Sequence, residues 1–357
     1  MADTNQDDIG NQVQTLIQRT IDRNIKGLEY FRSPKPKLGV TPKDLIFERG
    51  TLKLYHYRPQ ADEIYRVPLL LVMATTNRGS IFDLMPGHSL VEFLLKSGYD
   101  VYMMDWEAPL PHEKTLTLAD YTARFIPECI ERVQERSGED DITLIGYCMG
   151  GVLSVIYQAM HPDGPVKNLI TFTTPTDFSK MEMFNVFTAK EHFDVDRLVD
   201  TIGNVPSEMV FQGFSMRTPV SQAAATARLY DNMWNDAFVD SYRKVDAWAV
   251  DMLPLAGEYF RDTTKKLMWD NELLTGKLDV EGKIADPRNI TVPFLHAVAL
   301  HDDLVPYEAS HPLISLVGSE DKEEIVLKGG HVSLVAGANA AKRLWPAMDA
   351  WLQERSL

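Results

Sequence analysis

The apolar positions of this chain switch between two periods. From Ile9 to Leu28 the residues Ile9, Val13, Leu16, Ile17, Ile21, Ile25 and Leu28 recur at intervals of mostly three and four, which sets them on one side of a helix. That helix should end near "SPKPKLG", where two prolines break it. Then "LIFERGTLKLYHYRP" reads as a hairpin turning at Arg49 and Gly50, followed by the apolar strand "PLLLVMA". Helix "SLVEFLLKSG", strand "DVYMMDW", helix "LADYTARFIPECIERVQERSG", strand "ITLIGY" and helix "GVLSVIYQAMH" come next. Strands that read as continuous apolar runs and alternate with helices predict a parallel sheet covered on both faces, an α/β architecture.

The alternation resumes at "NLITFTT" and then fails from Phe178 to Asn289, a stretch that reads as mostly helical, with "DVDRLVDTIGNVPSEMVFQGF" and "VDSYRKVDAWAVDMLPLAGEYFRDTTKKL" as its clearest pieces. It is rich in large apolar side chains: Met209, Phe211, Phe214, Met216, Trp234, Trp248, Met252, Tyr259, Phe260, Met268 and Trp269. Helical spacing predicts that most of these form the inside of an inserted cap. The strands "VPFLHAVAL" and "EEIVLKGG" and a final helix "NAAKRLWPAMDAWLQERS" complete the pattern. The chain therefore divides into an amphipathic arm over 1–40, an α/β core over 41–177 and 289–357, and a helical cap over 178–288.

Composition narrows the function classes. A chain of 357 residues, 45% hydrophobic and 24% charged, can bury a large core. Its formal net charge of -15 argues against nucleic acid or an anionic membrane as partner, since both require clustered Lys and Arg. The opening "MADTNQDDIGNQ" is too acidic for a secretory signal, and the longest apolar run, "VPLLLVMA", is far short of a membrane span, so a cytoplasmic protein is expected. Two cysteines, Cys129 and Cys148, make no disulfide framework and show no zinc-ligand spacing.

One of those cysteines carries the candidate chemistry. Gly146, Cys148 and Gly150, with Gly151 behind them, form G-x-C-x-G where a strand becomes a helix. This is the nucleophile elbow of the α/β-hydrolase fold, whose glycines are needed where backbone comes too close for a Cβ. A thiol at a helix N-terminus faces unpaired N–H groups and the positive end of the helix dipole, which favour thiolate. The N–H of Met149 can supply half of an oxyanion hole, and the loop after "PLLLVMA", near Thr75 and Thr76, the other half. Cys129, inside an amphipathic helix, reads instead as a buried apolar residue.

A nucleophile on this turn takes a carboxylate and then a histidine from later in the chain. Of nine histidines, His331 in "LKGGHVS" directly follows the last strand and so lies at the same sheet edge as Cys148; His296 is inside a strand, and the others fall on segments with no reason to converge. The carboxylate should end the preceding strand, where "VALHDDLVP" offers Asp302 and Asp303, with position alone slightly favouring Asp302.

At this point the chain resembles a family, the polyhydroxyalkanoate (PHA) synthases, and in particular the catalytic subunit of their two-subunit class III and class IV forms. "GVTPKDLIF", "NRGSIFDLMPGHSLVEFLLKSGYDVYMMDW", "GYCMGG", "TPTDF", "VDTIGNVPSEM", "LHDDLVP" and "KGGHVS" occur in the family's order. The resemblance implies that Cys148 carries the growing acyl chain, His331 activates it and Asp302 is the third member. It implies (R)-3-hydroxyacyl-CoA, typically 3-hydroxybutyryl-CoA, as substrate, coenzyme A as product, no metal or prosthetic group, a second synthase subunit and association with polyester granules. The arm helix is the candidate contact for that subunit, and a homodimer is a further expectation. Two competing readings are a cysteine-dependent thioesterase of the same fold and a non-catalytic granule or scaffold protein.

Overall fold

The computed structural model describes residues 3–216 and 219–357, and the side chains of all of these except 3–10, 31, 183, 216 and 219–223. Residues 1–2 of the arm, and the side chains of Ile9 and Met216, therefore lie outside the described residues. The chain opens with helix α1 (Asp3–Arg32) and a hairpin of β1 (Lys43–Arg49) and β2 (Leu52–Tyr57), turned at Gly50 with φ 53°. Then come β3 (Leu69–Val72), α2 (Leu90–Lys96), β4 (Val101–Trp106), α3 (Ile126–Ser137), β5 (Ile142–Tyr147), α4 (Met149–Met160) and β6 (Val166–Phe172). Local chemistry sets their ends. The Ser89 hydroxyl accepts from Glu92 N at 2.9 Å to start α2, and Gly138, at φ 79°, lets α3 stop in the left-handed region. The helix read as one piece before "ITLIGY" begins with a π-helical turn over Asp120–Phe125, next to Pro127.

Eight strands form one sheet in the order β1-β2-β4-β3-β5-β6-β9-β10, where β9 is Phe294–Ala299 and β10 Lys322–Leu327. From β4 to β10 every pairing is parallel, while β1 and β2 add antiparallel at one edge. β3, β4, β5 and β9 are buried along their whole length, which is why they read as unbroken apolar runs. The C-terminal ends of β3, β5, β9 and β10 lie on one edge, because the strands are parallel and their crossovers run through helices.

Between β6 and β9 the chain leaves the sheet as a series of short helices: α5 (Glu182–Phe187), α6 (Val195–Ile202), α7 (Ser207–Met216), α8 (Pro219–Asp231), α9 (Asp236–Ala249), α10 (Gly257–Asp262) and α11 (Glu272–Thr275). The two pieces read as long helices are each broken, at Gly203–Pro206 and at Val250–Ala256, and Val205 and Leu255 pair there as an isolated β-bridge. A two-stranded hairpin, β7 (Asp279–Val280) and β8 (Lys283–Ile284), was not expected from the pattern.

The side chains expected to line the cap divide differently from that expectation. Trp248 and Tyr259 are buried, Met209 is exposed, and Phe211, Phe214, Trp234, Met252, Phe260, Met268 and Trp269 are half-buried. From Trp248 onward the segment joins the main hydrophobic core through Leu253, Leu255, Tyr259, Leu267, Leu273 and Val280. α12 (Tyr307–Ser310), α13 (Pro312–Leu316), α14 (Ser333–Ala336) and α15 (Trp345–Gln353) complete the chain.

Candidate active site

Cys148 occupies the junction of β5 and α4 with φ 53° and ψ −121°, a backbone conformation that side-chain-bearing residues rarely adopt. Its N–H donates to Phe172 O at 2.9 Å and its carbonyl accepts from Gly151 N at 3.0 Å, so the turn is bonded on both sides. The glycines around it answer to crowding. A Cβ on Gly146 would fall 2.7 Å from Gly150 O, one on Gly150 2.7 Å from the Met73 carbonyl carbon, and one on Gly151 would strike Thr174 Oγ1. Cys148 itself remains half-exposed, whereas Cys129 is fully buried in α3, where burial pushes its thiol well above the ordinary range.

His331 stands on the loop between β10 and α14, and Asp302 on the loop after β9; the backbone joins the two loops through His301 N to Gly329 O at 3.0 Å. Asp302 Oδ1 accepts from the N–H groups of Leu304 and Val305 at 2.9 and 2.8 Å, leaving Oδ2 to meet His331 Nδ1 at 2.7 Å. Both side chains are buried. The adjacent Asp303 is exposed and borders a separate surface cleft of about 540 Å³ with Lys180, Phe184 and Glu308. Of the two carboxylates left open by the sequence, Asp302 is the one that meets the histidine.

Cys148 is the other ionisable group that acts on His331. Burial works against charging this imidazole, but the Asp302 carboxylate and the neighbouring Cys148 overcome it and carry its pKa up to about 10. The ring of Tyr147 packs at 5.0 Å from that of His331, a contact that spacing did not suggest, although Tyr147 is the residue before Cys148 in the elbow. His296, set aside as a strand residue, is fully buried and bonded to Thr171 Oγ1 at 2.7 Å and to Ser310 O at 3.1 Å; burial pushes its pKa down to about 4.

The candidate oxyanion groups are the amides of Met149 and Thr76. Met149 is the first residue of α4, so its N–H has no carbonyl one turn earlier to bind. Thr76 follows β3, and its carbonyl accepts from Leu253 N at 2.8 Å, a contact from the inserted segment that orients the loop. A thiol on the elbow, an imidazole held by a carboxylate, and an unpaired amide at the start of α4 are parts required for acyl transfer through a covalent thioester.

Comparison with other proteins agrees with the fold. Residues 79–338 match the alpha/beta hydrolase fold family, and residues 18–94 match the N-terminus of poly-beta-hydroxybutyrate polymerase (PhaC). The chain is 37% identical to the poly(3-hydroxyalkanoate) polymerase subunit PhaC of Allochromatium vinosum, over 89% of this chain and 90% of that one. The chain belongs to the poly(3-hydroxyalkanoate) polymerase family. The Haloferax mediterranei subunit is 36% identical over 89% of this chain, which spans 65% of that relative's length. A third polymerase subunit, from Synechocystis, is 30% identical over 93% of this chain and 89% of its own. Among solved structures, Est1E from Butyrivibrio proteoclasticus shares the fold with this polymerase-family chain at a TM-score of 0.51 and 17% identity, over 88% of this chain and 98% of that one.

Proposed function

We propose that the chain is the catalytic subunit of a polymerase that moves (R)-3-hydroxyacyl groups, 3-hydroxybutyryl first among them, from coenzyme A thioesters through a thioester on Cys148 to a growing polyester. The observation that carries this reading is the elbow itself: in a member of this family, the residue on the strained turn beside the His331–Asp302 pair is a thiol. A cysteine thioester has nearly the energy of the coenzyme A thioester it replaces, so the first transfer is close to neutral and the acyl group stays activated. Formation of an oxygen ester in the second transfer then runs downhill.

In the first step the Cys148 thiolate attacks the thioester carbonyl. The negative oxygen so formed faces the N–H groups of Met149 and Thr76, and the departing coenzyme A sulfur takes the proton held by His331. Acylation removes the thiolate charge that helped to raise the His331 pKa, so the imidazole left behind is neutral and a competent base. It takes the proton of a second unit's 3-hydroxyl as that oxygen attacks the Cys148 thioester; the C–O bond forms, the C–S bond breaks, and thiolate and imidazolium are restored. Asp302 orients the ring throughout.

No metal or prosthetic group takes part in this scheme. Water is the competing acceptor, and the cap, whose residues Trp248 to Tyr259 lie over the loop of Thr75 to Arg78, is the element that restricts it. A second synthase subunit of the class III or class IV type docks on the arm, and the enzyme works in the cytoplasm on the surface of its polyester granule.

The test is thiol release from 3-hydroxybutyryl-CoA by the protein and its Cys148→Ala variant, with and without a second subunit and with the acyl product separated by size. Insoluble polymer from the wild type alone is expected. Free 3-hydroxybutyrate as the sole product would make the protein a thioesterase, and no release under any condition would leave a scaffold.

A further inference from the structure

Tyr259 stands on α10 with 2% of its surface exposed. Its ring packs on Tyr121 at 4.4 Å, and Tyr121 in turn on Trp106 at 5.0 Å, so the side chain has little freedom. The hydroxyl accepts a hydrogen bond from Thr75 Oγ1 at 3.1 Å. Thr75 directly precedes Thr76, whose amide is assigned above to the oxyanion hole.

The segment leading to Tyr259 grips the same loop at three further points. Leu253 N donates to Thr76 O at 2.8 Å, Met252 and Asn77 pair as an antiparallel bridge, and Trp248 Nε1 donates to Arg78 O at 2.8 Å. Tyr259 is thus the last of four contacts that hold residues 75–78 against the inserted segment, and it is the one made through a side-chain hydroxyl.

Two properties suit that hydroxyl to donate. Burial, opposed by the hydrogen bond from Thr75 and joined by Cys148, raises its pKa well above the ordinary phenol value, so it keeps its proton across the working range. Thr75 occupies the oxygen as a donor, and among the described residues no acceptor takes the phenolic proton. A protonated phenol locked in orientation against the loop that follows β3 resembles the side-chain donors that complete oxyanion holes elsewhere.

We propose that the Tyr259 hydroxyl, oriented by Thr75, donates a third hydrogen bond to the carbonyl oxygen of the acyl group on Cys148, beside the amides of Met149 and Thr76. This rests on the reading of Cys148 as an acyl-carrying nucleophile, and it makes Tyr259 a catalytic residue carried by the inserted segment. Displacing that segment from the loop would then remove both a donor and the support of the Thr76 amide.

The test compares two reactions of Cys148 in the full-length protein and its Tyr259→Phe variant. Single-turnover acylation by 4-nitrophenyl butyrate passes through a tetrahedral oxyanion whatever the natural substrate is, whereas alkylation by iodoacetamide passes through none. Tyr259→Phe keeps the ring packing, and the expected result is acylation slowed about 10²-fold with alkylation unchanged. Thr75→Val, which frees the phenol without removing it, is expected to slow acylation about fivefold, and it serves as the second reading if Tyr259→Phe folds poorly. Acylation within threefold of wild type in both variants, or equal slowing of acylation and alkylation, would overturn the assignment. A wild type that is alkylated but never acylated would overturn the nucleophile reading with it, and normal acylation without release from 3-hydroxybutyryl-CoA would count against the substrate alone.

Discussion

Helices α4 and α1 can both be read from apolar periodicity, yet they end in opposite environments. Val152, Leu153, Val155 and Ile156 of α4 are fully buried, because the helix lies on the sheet beneath the elbow. In α1 the apolar stripe, the candidate contact for a second subunit, is open to solvent: Leu16 is 62% and Leu28 64% exposed. The arm is held instead by its basic side chains. Arg19 lies 4.3 Å over the ring of Trp234, Arg23 4.5 Å over that of Tyr230, and Lys26 reaches Asp236 at 2.6 Å. Cation–π and exposed ionic contacts of this kind are each worth about 1 kcal/mol or less, whereas burying one leucine contributes about 2 kcal/mol. An apolar face therefore states what could be buried, and the surrounding topology states what is.

The contrast can be tested from its strongest expected effect to its weakest. At the start of α4, Cys148→Ala should lower coenzyme A release by about 10³-fold or more while leaving the unfolding temperature near that of wild type. Calorimetry and a thiol assay on one preparation check both halves. Within α4, Leu153→Ala should destabilise by about 2–5 kcal/mol in denaturant unfolding, since both the transfer term and a cavity are lost.

A pH series separates the two buried histidines. The raised pKa of His331 contributes stability that is complete below pH 6.5 and is lost as the pH climbs toward about 10. The lowered pKa of His296 contributes stability that is present above pH 6.5 and is lost as the pH falls toward about 4. Unfolding measured across that range should decline on both sides, and His296→Gln should flatten only the acidic limb. Smallest of all, Ile17→Ala on α1 should shift stability by no more than about 0.5 kcal/mol, because the side chain is 56% exposed. A loss as large as that of Leu153→Ala would show that the arm's stripe is covered by something in solution.

Much of the site was legible before any coordinates. The elbow was visible because crowding at Gly146, Gly150 and Gly151 leaves no alternative residue, and crowding of that kind writes itself into a short contiguous string. His331 and Asp302 were legible because parallel topology delivers the residues after successive strands to one edge. The breaks of the cap helices at Gly203–Pro206 and Val250–Ala256 were read over, because helix-like periodicity runs through both, although Gly203, Pro206 and Pro254 are helix breakers and the pairing of Val205 with Leu255 joins the two breaks.

By itself, then, the order of residues determined the α/β alternation, the elbow and the two loops that meet it, because each depends on local crowding or on the direction of a strand. Position favoured Asp302 over Asp303 only slightly and the family resemblance implied it; tertiary structure shows how Asp302 comes to face the imidazole. It directs the Leu304 and Val305 N–H groups at one oxygen, leaving the other for His331. Tertiary structure also placed Tyr259 beside Thr75, across 184 residues of sequence. No local pattern encodes a contact of that separation, because it forms only when the inserted segment folds back over the sheet edge.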